Sequence, residues 1–105
     1  MEIQTTLKLS TLQTINTLWP LLDFENTKRD KIDLSIVQYT AAKFMKKEAS
    51  RIGKPKDKEF KMSLHYFELA TIEDLLRTAA AKHLTEFIDY TRVTNYCNQI
   101  NQKII

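Results

Sequence analysis

Apolar and polar positions alternate from residue 3 to residue 9, with Ile3, Thr5, Leu7 and Leu9 on one side and Gln4, Thr6 and Lys8 on the other. This period of two predicts a short half-buried strand. Ser10 then offers an N-cap with Gln13 at capping-box spacing, and Leu12, Ile15, Leu18, Trp19 and Leu22 recur every three or four residues, so a helix is predicted from Thr11. Pro20 has no amide hydrogen and clashes with the preceding turn, so this helix must end near Leu18 or kink there. After the polar stretch 23–29, Thr27 with Asp30 supplies the next start signal. A long helix is predicted with Leu34, Val37, Ala41, Met45, Ala49 and Ile52 inward, assisted by Ile36 and Phe44. Gly53 should stop it, reinforced by Pro55.

Beyond the connector, Phe60, Met62, Leu64 and Tyr66 alternate with Lys61, Ser63, His65 and Phe67, a second strand of the same kind. A strand alone cannot satisfy its backbone groups, so residues 3–9 and 60–66 are expected to pair as an antiparallel ribbon packed on helices. A third helix carrying Leu69, Ile72, Leu75, Leu76 and Ala79 should begin between Phe67 and Thr71, where Thr71 with Asp74 gives a cap. A fourth carries Phe87, Tyr90, Val93, Cys97, Ile100 and Ile104. One continuous rod would expose much of this stripe, which favours a break near Lys82 to Thr85. The fold class is therefore mainly α with a small β component (α+β): about four helices and a two-stranded antiparallel ribbon. An offset of 57 residues aligns Ile3 with Phe60, Leu7 with Leu64, Leu12 with Leu69 and Ile15 with Ile72, which raises the prospect of two repeated strand-helix-helix units.

Composition narrows this picture. A chain of 105 residues, 43% hydrophobic and 28% charged, suits one folded domain, residues 1–105, with 53–59 as an internal hinge. A single glycine disfavours turn-rich all-β folds, and the lone Cys97 cannot form an internal disulfide. With no leader-like start and no long apolar run, an intracellular, cytoplasmic protein without a membrane role is expected.

Charge is localised. Residues 43–61 hold eight basic and three acidic side chains, a net charge of +5, while the remainder of the chain carries −2. Lys43, Lys46, Lys47 and Lys54 fall at helical spacings on one side, opposite the expected apolar stripe. Together with Arg51 and Lys56 they form the candidate contact with DNA or RNA backbone. Lysine dominance points to sequence-independent phosphate contact, because base reading leans on arginine, asparagine or glutamine. An acidic protein partner is a weaker alternative, and solvation of a helix end is the plain one.

Other constellations carry less. His65 with Glu68, and His83 with Glu86 and Asp89, stand at three-residue spacings that one helical face could offer a metal, but in the reverse order of the usual Glu-x-x-His motif. Cys97 lies on the apolar stripe with only Arg92 as a basic neighbour, which marks a structural thiol. No phosphate-binding glycine loop or serine elbow is present, so no catalytic residue, metal, cofactor or small-molecule substrate is expected. Trp19, Phe24, Tyr39, Tyr66, Phe67, Tyr90 and Tyr96 are more aromatic surface than a small core easily hides. The expectation is a non-catalytic binding protein contacting nucleic acid, or alternatively an oligomerising interaction module, for instance a homodimer.

Overall fold

In the computed structural model, which describes residues 2–24 and 28–105, two strands lie side by side and four helices close around them. Strand β1 (Glu2–Leu7) leads into α1 (Leu9–Leu18) and a single 3-10 turn (Trp19–Leu21). Helix α2 (Lys28–Ser50) returns the chain to β2 (Phe60–His65), which runs directly into α3 (Tyr66–His83) and then α4 (Phe87–Ile104). The strands pair antiparallel from Glu2 opposite His65 to Leu7 opposite Phe60, as the alternation required. Among the described residues no helix is long and apolar enough to cross a membrane.

The local boundaries follow from chemistry. Pro20 ends α1 at Leu18 instead of kinking it, because proline is accepted early in a 3-10 turn where its missing donor has no partner to lose. Helix α1 begins at Leu9, ahead of the expected Ser10 cap, and Lys8 makes no side-chain cap. The cap predicted at Thr27 lies outside the described residues. Gly53 adopts φ +82°, the left-handed conformation that closes the turn after α2. Helix α3 starts at Tyr66, earlier than the Thr71 signal implied, because the Glu68 carboxylate accepts the His65 amide at 3.0 Å and occupies a free donor at the helix start. A break at residues 84–86 separates α3 from α4 where the stripe would otherwise have run into solvent.

One apolar core draws on both strands and all four helices. At its centre Thr5, fully buried, shares a 2.8 Å hydrogen bond with the Tyr96 hydroxyl and donates to the Met62 carbonyl at 3.2 Å. Phe44 meets Trp19 and Tyr96 edge to face, at centroid distances of 5.3 and 6.2 Å. The outer edge of β1 is closed by Gln99, whose side-chain amide accepts from the Thr6 N–H at 2.7 Å and donates to the Thr6 carbonyl at 2.8 Å.

The packing face of α2 differs from the expected one. Val37, Thr40, Ala41 and Phe44 are buried, whereas Leu34, Met45 and Ile52 are exposed. Thr40 turns inward because its hydroxyl finds both the Ile36 carbonyl and Glu68, so a polar residue takes a place that apolar patterning gave to Met45. The same correction applies to Phe87 and Tyr90 of α4, which are exposed, while Tyr96 takes the inward place.

Candidate nucleic-acid interface

The end of α2 sets the basic residues beside the outer edge of β2. Lys43, Lys46, Lys47 and Ser50 form one wall of an open groove of about 350 Å³, and Met62 and Ser63 form the other. The helix ends at Ser50, so Lys54 does not continue the lysine row; Arg51 and Lys54 belong to the turn, where the Lys54 amide donates to the Arg51 carbonyl at 3.1 Å. Only Lys46 stands opposite the core face, two residues on from Phe44; Lys43 and Lys47 flank that face and are half-buried as a result.

Each cation has its own circumstances. Lys43 is committed: its ammonium lies 2.8 Å from the Glu68 carboxylate, which is 0% exposed, and 4.6 Å from the Tyr39 ring centre. Glu68 also accepts from Thr40 at 3.0 Å and from the His65 amide. Burial alone would raise its carboxyl, but the Lys43, His65 and Thr40 donors outweigh burial and hold it below the ordinary glutamate value. On Lys43 burial acts to lower the ammonium, and the Glu68 carboxylate overcomes it, so the net movement is upward. Lys47 and Arg51 stack over Phe60, at 5.7 and 4.5 Å from its centroid, and shield that strand end from water. Lys46, Lys54 and Lys56 are exposed and, among the described residues, have no carboxylate partner.

The six residues therefore divide. Lys43, Lys46 and Lys47 converge on the groove, while Arg51, Lys54 and Lys56 extend the positive surface along the following turn. Ser63 adds a hydroxyl that charge counting did not reveal, whereas the Ser50 hydroxyl donates to the Lys47 carbonyl at 2.7 Å and offers the groove only an acceptor. Ser63 was legible in outline, because strand alternation placed it on the exposed side with Lys61. The role of Glu68 had no such signal, since Lys43 lies 25 positions away in sequence.

The metal spacings lead elsewhere. Glu68 is occupied by its three donors, and His83 ends α3 while Glu86 lies in the break ahead of α4. Among the described residues no group of three or more His, Cys, Asp or Glu side chains comes together to hold a metal. Cys97 is fully buried, and burial pushes its thiol up to about 12, with Arg77 acting in the opposite direction. Comparison with family models, curated proteins and solved structures finds no match to this chain.

Proposed function

We propose that this is a non-catalytic nucleic-acid-binding protein of the cytoplasm, whose phosphate contacts are made by Lys46, Lys47, Arg51, Lys54 and Lys56. The observation that supports this is the convergence of three lysines and two serines on one open groove, with exposed cations along the turn beside it that have no carboxylate partner among the described residues. Lys43 serves mainly to neutralise Glu68, so five cations remain to meet phosphates. Ammonium groups on flexible stems suit contacts that follow a backbone without reading bases.

Five phosphate contacts correspond to a slope of log affinity on log salt of about −4.5 on a duplex, or roughly a five-hundredfold loss between 50 and 200 mM salt. Titration of fluorescent DNA and RNA across that range tests the reading. Absence of binding at low salt, or affinity indifferent to salt, would end it.

A second reading rests on a separate surface. Trp19, Pro20, Phe24, Leu34, Val37 and Met45 line an apolar groove of about 370 Å³ along α2, and Leu34 and Met45 are exposed there. Burial of this stripe against the same stripe of a second copy would make a homodimer, doubling the basic surface. Sedimentation equilibrium showing a monomer over a wide concentration range removes it.

A further inference from the structure

We infer that the groove takes single-stranded nucleic acid, with bases stacked on the exposed rings of Tyr39 and Phe67 and the phosphates following Lys46 and Lys47. The inference rests on the proposed function above and specifies its ligand.

Two independent features meet at Lys43. One is the cationic groove already described. The other is a set of solvent-facing rings: Tyr39 is 56% exposed and Phe67 49% exposed. Phe67 is not free to wander, because its ring lies parallel to that of His65, 7° apart in plane and 5.5 Å between centroids. Tyr39 is held by the Lys43 ammonium at 4.6 Å. Lys43 is fixed in turn to Glu68, and Glu68 accepts the His65 amide, so a continuous series of contacts joins one exposed ring to the other past the groove wall.

Exposed aromatic rings lose contact with water when a base covers them, and rings that are already positioned give up little freedom on binding. Exposed, fixed rings beside a lysine-lined groove suit a single strand, since every base has a face to stack while the backbone needs only cations. A duplex cannot use it, because its bases are stacked on one another. A groove of about 350 Å³ is also at the small end of ligand clefts, sized for a segment of one strand. An acidic polypeptide could satisfy the lysines but would leave Tyr39 and Phe67 without a role.

The test uses the whole protein and fluorescence anisotropy with a labelled mixed-sequence single strand of about twelve nucleotides, within known site sizes, and the same sequence as a blunt duplex. The single strand should bind at least about fivefold tighter, the lower bound for one stacked base. Phe67→Ala and Tyr39→Ala should each weaken single-strand binding by about fivefold or more while duplex binding stays unchanged. Lys46→Ala should weaken both and reduce the salt slope by about 0.7–0.9, its one-phosphate share. Phe67→Leu keeps an apolar side chain of similar bulk but no ring, so its loss of affinity with an unchanged melting curve separates stacking from folding. Equal binding of both forms, untouched by the ring variants, overturns the inference and leaves the proposed function standing. No binding of either form overturns both. Displacement of the single strand by polyglutamate as readily as by unlabelled single strand overturns the inference in favour of an acidic polypeptide.

Discussion

At the scale of single residues, Lys43 shows how local pattern and tertiary role diverge. In sequence it is one cation in a row of lysines; in the fold it is the counter-charge of the fully buried Glu68. Substitution by Met keeps the stem and removes the charge. Because 31% of the Lys43 side chain remains exposed, the loss should be about 2–3 kcal/mol, somewhat less than for a fully enclosed pair, and urea unfolding at pH 7 measures it. The pH dependence has a defined sign. A carboxyl held below its unfolded value contributes stability that is present above that value and lost as pH falls through the folded one. The difference between wild type and Lys43→Met should therefore be full at neutral pH and shrink as pH falls, from the point where Glu68, left buried without its cation, takes up a proton, down through its lowered wild-type value. Cys97 offers a second check. Buried and pushed up to about 12, it should react with a thiol reagent at pH 8 only as fast as the fold opens, and at once in denaturant. Its placement was readable from the apolar stripe. The Glu68 to Lys43 pairing was not, because a contact between distant side chains leaves no trace in either one's neighbourhood.

At the scale of elements, signals carried by backbone chemistry translated well and those carried by side-chain averages less so. Pro20, Gly53 and the two alternating strands fixed their elements because each acts through donors, dihedrals or pleat that tertiary packing cannot overrule. The inward face of α2 was misjudged because apolar residues run round more than half of that helix, so patterning alone could not choose between Met45 and Thr40. The basic row was shortened for a related reason: Lys54 has helical spacing but lies past the glycine that ends the turn. Gly53 should consequently resist replacement. A Cβ there would meet nothing within 4 Å, so the cost of Gly53→Ala comes from the backbone alone, about 1–2 kcal/mol for an Ala held at φ +82°. Calorimetry should find Tm lowered by about 4–8 °C for each kcal/mol. Gly53→Asn, which accepts the left-handed conformation more readily, should lose less.

For the whole molecule, the order strand, helix, helix occurs twice, and the two strands meet at the centre. The buried positions of α2 (37, 40, 41 and 44) recur in α4 (93, 96, 97 and 100) at the same internal spacing, shifted by 56 residues, against 57 for the alignment of the strands. This likeness does not make the halves independent. Thr5 from the first half bonds to Tyr96 and Met62 in the second, Phe44 packs on Tyr96, and Gln99 closes the edge of β1. Neither unit could keep its strand paired or its inner helix faces dry without the other. Unfolding should then be a single transition in which the signal of Trp19, buried in the first half, coincides with far-UV circular dichroism, which reports all four helices. If the tryptophan signal moved at distinctly lower denaturant than the helical signal, the first half would be opening on its own, and one cooperative domain over residues 1–105 would be the wrong description. Coincidence carries a consequence for binding as well: the groove wall combines α2 from one half with β2 from the other, so the site exists only while both are folded. A ligand held there should raise the midpoint of both signals together, by RT ln(1 + [L]/Kd) in free energy, which gives about 2.7 kcal/mol at a hundredfold excess over Kd.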